Sequence, residues 1–264
     1  MVSKLIINDN TFGSQAEATT YLADSPRTTS WATLPTTKKD QCLLSATREI
    51  EKLKFQGDKT EVQVVDTIVV NAGGSGYVLS EVITVSNGVG GSATATVLTV
   101  SGGAVLTLQL TDAGLYSTNP GASAEATTAS LIGTGLTVDL TFKDQPLAFP
   151  RIGLTDLEGD AVDSATVPQV VKDAQYELAY LLSQDSTIEG STGTSENNKR
   201  LKAGSVEVER FSPTKGTRLP NVVHELLRSF LEGFGSMTSV FSSGVTVESQ
   251  FDDDDRYSVT AGIP

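Results

Sequence analysis

Residues 93–110 read ATATVLTVSGGAVLTLQL, and this stretch decides the fold of the middle of the chain. Two runs rich in Val, Thr and Leu, Ala93–Val100 and Val105–Leu110, flank the dipeptide Gly102-Gly103. β-Branched residues favour strands, and a Gly-Gly pair is typical of a tight hairpin turn. The stretch therefore predicts two antiparallel strands joined by a short turn.

Similar runs on both sides extend the β prediction from about residue 61 to 143. A weak internal repeat is also visible, because Ile68–Tyr77 is echoed by Leu106–Tyr116 at a period of about 39 residues. We therefore expect a small antiparallel sandwich or roll made by duplication. The further β-branched runs are Ile68–Val70, Val82–Val85 and Leu136–Phe142.

Helical patterns lie before and after this region. Ser14 and Glu17 have the spacing of a capping box, which predicts a helix from Gln15 to Ala23. Apolar residues at helical spacing predict a second helix after Pro35 and a third that begins at Pro168. A last helix is expected over residues 219–231, after a strand in 204–211.

These patterns divide the chain into three parts and predict an α+β fold. Residues 1–60 and 144–235 are expected to form an α-helical bundle core, with an all-β domain inserted at 61–143. Residues 236–264 are expected to be an extended C-terminal tail that docks onto a neighbouring protein, since it keeps apolar side chains at intervals. The side chains assigned to this docking are Val240, Phe241, Val245, Val247 and Phe251.

Composition excludes much of enzyme chemistry. The one cysteine, Cys42, cannot form an internal disulfide, and the one histidine, His224, cannot supply a metal cluster or an ordinary catalytic triad with it. The sequence thus predicts no enzymatic activity, no cofactor and no metal. The longest apolar runs are far below the roughly 18 residues of a membrane span, so no membrane partner is expected.

Charge argues against a nucleic-acid clamp. Nineteen basic and 32 acidic residues give a net charge of -13, whereas DNA-binding proteins usually carry a basic excess. The lysines that stand out, Lys38, Lys39, Lys52 and Lys54, are scattered and have no interleaved aromatic residues. The four aspartates at 252–255 lack the pattern of a calcium loop and are interpreted as a solvated acidic run.

Two short motifs outside the β region resemble the head-to-tail adaptor (connector) proteins of tailed bacteriophages. The first is Phe149-Pro-Arg-Ile-Gly153, and the second is the proline-started helix Pro168–Ala179; the stretches Lys202–Glu209 and 219–227 agree with the same order. The family-motif core consists of Phe149, Pro150, Arg151, Gly153, Pro168, Val171, Lys172, Ala174, Glu177 and Leu178.

This resemblance implies a structural virion protein. Such an adaptor forms a ring of its own copies, usually twelve, between the portal protein ring and a tail or nozzle protein, and extends the DNA channel. The genomic double-stranded DNA would pass through without specific binding, which fits the acidic chain. The implied location is the virion neck, after assembly in the host cytoplasm.

Two other functions remain open. A single-stranded-DNA-binding replication protein would need a basic groove with stacking aromatic residues. A carbohydrate- or surface-binding module on a helical base would use the inserted β domain, whose aromatic residues are Tyr77, Tyr116 and Phe142.

Overall fold

An antiparallel sheet of eight strands is the largest element of the structure, which is a computed structural model that describes residues 4–25, 28–184, 200–203, 206–209 and 219–232. The strand order is β4-β7-β2-β9-β8-β3-β5-β6, and the sheet curls so that its last strand, β6, packs against β2. The eight strands are β2 (Gln63–Ser75), β3 (Val82–Val85), β4 (Val89–Gly91), β5 (Thr94–Ser101), β6 (Ala104–Asp112), β7 (Leu115–Thr118), β8 (Glu125–Ala129) and β9 (Thr134–Asp144).

Alternation places one face of this sheet in a hydrophobic core. On β9, for example, Leu136, Val138 and Leu140 are buried while the residues between them are more accessible. The hairpin predicted in residues 93–110 is confirmed, since β5 and β6 pair from Ser101↔Ala104 to Thr94↔Asp112. Gly102 and Gly103 both have positive φ angles, which explains why the turn takes glycine at these positions.

Five α-helices form the rest of the described chain together with two short strand pairs. They are α1 (Gln15–Ala23), α2 (Thr28–Ala32), α3 (Thr36–Ile50), α4 (Gln169–Gln184) and α5 (Asn221–Leu227), with a short 3-10 helix at Arg228–Phe230. The strand pairs are β1 (Asp58–Lys59) with β10 (Arg151–Ile152) and β11 (Arg200–Ala203) with β12 (Val206–Glu209).

Local signals fixed the starts of the helices. The Ser14 side chain accepts from the Glu17 backbone N–H and the Glu17 side chain accepts from the Ser14 N–H, so the predicted capping box is confirmed. The Pro168 carbonyl accepts from the N–H groups of Val171 and Lys172, at 3.0 and 3.3 Å, in the first turn of α4. The helix predicted over residues 219–231 is shorter than expected, because its α-helical part ends at Leu227.

The prediction of an α-helical bundle as the main fold is wrong: the structure is mostly β. Two of the five described helices, α2 and α5, have only 5 and 7 residues, too few for the long parallel contact lines of a bundle. The long strands β2 and β9, in contrast, pair from Gln63↔Asp144 to Ser75↔Thr134. The helices instead pack around a second hydrophobic core, in which α4 contacts both α3 and α5.

The N-terminal segment joins the helices to the sheet. The Ile7 N–H donates to the Thr111 carbonyl at 3.0 Å, and the Ala113 N–H donates to the Ile7 carbonyl at 2.9 Å, which extends the pairing at the end of β6. Lys143 lies 2.8 Å from both Asp9 and Asp66. Burial alone lowers the pKa of Lys143, but its bonds to Asp66 and Asp9 outweigh burial and raise it.

Residues 4–232 of the described chain fall in one compact unit that contains both cores. The three-part division at 1–60 and 144–235, 61–143 and 236–264 therefore stays a prediction. The predicted tail lies outside the described residues.

Candidate nucleic-acid interface

The aromatic-Pro-Arg-x-Gly motif lies inside the protein rather than on a binding surface. Phe149 is fully buried and its ring packs edge-on against Phe55, with 4.7 Å between the ring centroids, and lies 6.0 Å from Phe230. The peptide bond between Phe149 and Pro150 is cis. Since the ring has no exposed surface, it cannot stack on a nucleic-acid base.

Arg151 is committed to backbone carbonyls. Its Nε donates to Gln56 O at 2.7 Å, and its terminal nitrogens donate to Phe55 O at 3.2 Å, to Ala148 O at 3.4 Å and to Gly57 O. A guanidinium carries five N–H donors in a fixed fork, and these bonds occupy most of them. Arg151 therefore holds residues 55–57 against β10 and is not available to bind phosphate.

Glycine is needed where these two segments meet. Gly57 has φ +66° and a Cβ there would overlap the Ile152 carbonyl, while Gly153 on the other side has φ +82°. Both angles lie in the left-handed region, which side chains with a Cβ rarely adopt. The Gly153 of the motif is thus explained by backbone geometry.

The proline-started helix motif is likewise structural. Val171, Ala174 and Leu178 are fully buried in the core between the helices. Lys172 Nζ lies 3.0 Å from Glu17 Oε1, and the Tyr21 hydroxyl lies 3.4 Å from Glu177 Oε1. These contacts attach α4 to α1.

The ion pair between α4 and α1 helps to lower the pKa of its carboxylate, Glu17. Burial alone raises the pKa of Glu17, but hydrogen bonds from the Ser14 N–H and from Lys172 outweigh it. The pKa of Glu17 therefore lies below its ordinary value. Lys172 serves this carboxylate and is not a free cation for a ligand.

No described side chain offers an exposed aromatic ring for base stacking. Phe12, Trp31, Tyr116, Tyr176 and Phe230 are at most 2% exposed. Three further rings, Tyr21, Phe142 and Tyr180, are half-buried, and the remaining described aromatic residues are buried as well. Base stacking, a main contribution in many single-strand binders, therefore has no platform in the described part of the chain.

Most basic side chains in the described helices, or just after them, are paired or packed. Lys52 bonds to Glu49, Arg228 lies 3.1 Å from Glu225, and Lys39 lies over the Trp31 ring at 5.7 Å. Arg48 and Lys54 are exposed. The lysines that the sequence analysis singled out therefore do not form a basic groove.

A local excess of positive charge, which was not among the predicted sites, lies further along the chain. Residues 199–218 carry six basic and two acidic side chains in a chain whose net charge is -13. The backbone of β11 and β12 forms an antiparallel pair here, with Arg200 opposite Glu209 and Lys202 opposite Glu207. The excess is evident within these 20 residues, although the net charge of the whole chain is negative. The six basic residues are Lys199, Arg200, Lys202, Arg210, Lys215 and Arg218.

The described residues show neither a metal centre nor a helix suited to a membrane. No group of three or more His, Cys, Asp or Glu side chains in the described ranges is placed to hold a metal ion. None of the helices that the structure describes is both long and apolar enough to span a bilayer. The predicted docking side chains Val240, Phe241, Val245, Val247 and Phe251 lie outside the described residues.

A family model described as "Putative DnaT-like ssDNA binding protein" matches residues 135–243. The match covers less than half of the chain, so it shows what this segment is similar to. It contains the motifs Phe149–Gly153 and Pro168–Ala179 as well as the basic segment 199–218. No curated protein and no solved structure matches the chain.

This match corrects the adaptor interpretation. The residues that resembled a head-to-tail connector lie inside a segment similar to a single-stranded-DNA-binding family, so the resemblance to phage adaptors is wrong. The structural virion function, the portal and tail partners, the twelve-membered ring and the passage of DNA without binding are wrong with it. The whole-chain charge was the misleading signal, because binding depends on where charge is concentrated.

Proposed function

We propose that this protein binds single-stranded DNA through the segment that contains β11 and β12. The observation that carries the proposal is the match of residues 135–243 to the DnaT-like single-stranded-DNA-binding family. The concentration of six basic residues in 199–218 supports the same segment as the contact site. The earlier alternative of a single-strand-binding replication protein thus replaces the adaptor.

Electrostatic contact with phosphates is the binding mode that fits these observations. Each basic side chain that neutralises a phosphate releases counterions, which makes binding favourable at low salt and weak at high salt. The described aromatic rings are buried or half-buried, so the described part of the chain adds little stacking energy. We therefore expect little preference among base sequences and a strong dependence on salt.

The acidic remainder of the chain limits the affinity. Basic and acidic residues number 19 and 32, and most of the acidic ones lie outside residues 199–218. Their charges repel the DNA backbone wherever the strand leaves the basic segment. We expect short oligonucleotides to occupy this segment alone.

The test is fluorescence anisotropy of a labelled oligothymidine titrated with the full chain at low salt. Arg200→Gln/Lys202→Gln removes two charges from β11 and is expected to weaken binding about tenfold or more, because contacts of this kind are worth about 1 kcal/mol each. Arg48→Gln/Lys54→Gln is the matched control, since it removes one Arg and one Lys that are exposed and outside residues 135–243.

Two results would contradict the proposal. One is the absence of saturable binding by the folded wild-type chain at low salt. The other is an equal loss of affinity in the β11 variant and in the control, which would show that only the total charge matters. The absence of enzymatic activity and the location in the virion neck stay predictions.

A further inference from the structure

A polar cleft of about 430 Å³ lies where the chain enters and leaves the large sheet. Lys59, Glu61 and Gln63 line it from the entering segment, and Asp144 and Gln145 line it from the leaving segment. Its volume is within the range of small-molecule sites, roughly 300–1,000 Å³. None of these residues takes part in the DNA contact proposed above.

The lining is rich in hydrogen-bond acceptors and carries excess negative charge. Glu61 and Asp144 are exposed carboxylates. Lys59 is the only cation among the residues that line the cleft, and its Nζ donates to the Gln145 carbonyl at 2.6 Å. A ligand with donor groups and positive charge therefore matches the cleft, whereas a phosphate would be repelled.

Gln145 supplies a second, independent sign of a ligand. Its side chain is 4% exposed, and its amide nitrogen donates to the Phe149 carbonyl. Its amide oxygen is buried and has no hydrogen-bond partner among the described residues. Because an unpaired buried acceptor costs free energy, it is unusual in a native protein and calls for a donor.

Gln63 fixes one side of the cleft. Its Nε2 donates to Asp144 Oδ1 at 3.2 Å, and its Oε1 accepts from the Asn119 side chain. Gln63 thereby holds Asp144 at the mouth while the second carboxylate oxygen is left to accept from a ligand.

We propose that this cleft binds an organic cation that carries a guanidinium or primary ammonium group on a flexible chain. The carboxylates of Glu61 and Asp144 receive the positive charge, and the Gln145 amide oxygen accepts one N–H. Val62 is the one apolar residue among those that line the cleft, and none of them is an aromatic residue of the kind that holds a nucleobase. Since the two carboxylates are exposed, we expect dissociation constants of order 1 mM.

The test follows the backbone amide NMR signals of the full chain during titration with N-acetyl-arginine amide. We expect saturable shifts centred on residues 59–63 and 144–145. N-Acetyl-citrulline amide, which keeps the shape but lacks the charge, should bind at least about fivefold more weakly. Spermidine is tested as a second cation. Tighter binding of spermidine would identify a free polyamine as the ligand, whereas tighter binding of the arginine compound would identify a protein side chain.

Matched variants separate the cleft from general charge. Glu61→Gln/Asp144→Asn should weaken binding of the arginine compound about fivefold or more, because both charge contacts are lost. Asp24→Asn/Glu158→Gln removes two exposed carboxylates elsewhere and should leave binding unchanged. Gln145→Met keeps both carboxylates but removes the buried amide oxygen, and it should also weaken binding.

Three outcomes would overturn the proposal. The first is no saturable shift at residues 59–63 and 144–145 up to about 10 mM ligand. The second is equal binding of the arginine and citrulline compounds. The third is an equal loss in the cleft variant and in Asp24→Asn/Glu158→Gln. Unchanged binding by the Gln145→Met variant would contradict the contact assigned to the amide oxygen.

Discussion

Arg151 Nε donates a hydrogen bond to the Gln56 carbonyl at 2.7 Å, across 95 residues of sequence. The other nitrogens of the same guanidinium reach the carbonyls of Phe55, Gly57 and Ala148. One side chain thus joins the segment that follows α3 to the segment that returns from the sheet. Arg151 therefore has a structural role that a lysine cannot fill.

Arg151→Lys is expected to lower the free energy of unfolding by about 2–4 kcal/mol, because a single ammonium cannot reach four separate carbonyls in the geometry of the fork. Chemical denaturation followed by circular dichroism measures this loss. Arg48→Lys, at an exposed position of α3, should change the same quantity by less than about 0.5 kcal/mol. Equal effects of the two substitutions would contradict the role assigned to Arg151.

Gln175 on α4 is the centre of a buried polar network. Its Oε1 accepts from the Gly13 N–H at 3.0 Å, and its Nε2 donates to the hydroxyls of Thr11 and Thr47 at 2.6 and 2.8 Å. Gln175 is fully buried, so no water replaces these partners when the amide is removed.

Gln175→Leu is therefore expected to cost about 2–4 kcal/mol of unfolding free energy, since it leaves several buried polar groups without partners. Gln184→Leu on the same helix is the control, because Gln184 is exposed and should tolerate the change. Thermal or urea unfolding of both variants gives the comparison. A loss below about 1 kcal/mol for Gln175→Leu would mean that the network contributes little.

The core-facing side of α4 shows what the sequence could and could not predict. Helical spacing predicted α4 and placed six apolar residues on one face: Val170, Val171, Ala174, Leu178, Leu181 and Leu182. Four of them are buried, but Val170 is exposed and Leu181 is half-buried. Helical spacing did not predict that Gln175 is buried, because its partners Thr11 and Thr47 are more than 100 residues away in sequence. Local periodicity reports which side chains are apolar, whereas burial of a polar residue depends on distant partners.

The same limit explains the wrong fold class. The runs that became β5, β6 and β9 were readable from β-branched residues, but their curled eight-stranded order depends on pairings far apart in sequence, such as Gln63↔Asp144. The basic segment 199–218, in contrast, was readable from the sequence and was missed because charge was totalled over the whole chain.

Gly13 is expected to be sterically required. A Cβ at this position would overlap the hydroxyl of Tyr176, a fully buried residue of α4. Gly13→Ala should therefore cost about 1–3 kcal/mol through overpacking. In the Tyr176→Phe background the same substitution should cost at least about 1 kcal/mol less, because the overlapping oxygen is gone. Additive costs in the double-mutant cycle, measured by urea unfolding, would show that the contact is relieved in another way.

Asp112 should give the protein a pH-dependent stability. Burial raises the pKa of Asp112, although hydrogen bonds from the Gly114 N–H and the Asn8 side chain oppose the rise. The folded-state pKa therefore lies above the unfolded-state pKa. Ionised Asp112 costs stability at neutral pH, and this cost disappears as the pH falls below both values.

Asp112→Asn removes the titration but keeps an oxygen that accepts from Asn8 and Gly114. Its unfolding free energy is expected to increase relative to the wild type as the pH rises from about 4 to 7. Asp139→Asn should show the opposite trend, because hydrogen bonds from the Ala124 N–H and the Asn71 side chain lower the pKa of Asp139. The same pH trend in both variants would contradict at least one of the two assignments.

The proposed DNA contact predicts a specific change in salt dependence. If Arg200 and Lys202 each neutralise one phosphate, the logarithm of the binding constant falls less steeply with the logarithm of salt concentration once they are replaced. Each lost phosphate contact reduces the slope by about 0.7 for single-stranded DNA, so Arg200→Gln/Lys202→Gln should reduce it by about 1.4. Arg48→Gln/Lys54→Gln should leave the slope unchanged, because neither residue lies in the basic segment. Affinity that falls in the β11 variant without a change of slope would show that these side chains maintain the hairpin rather than contact the phosphates.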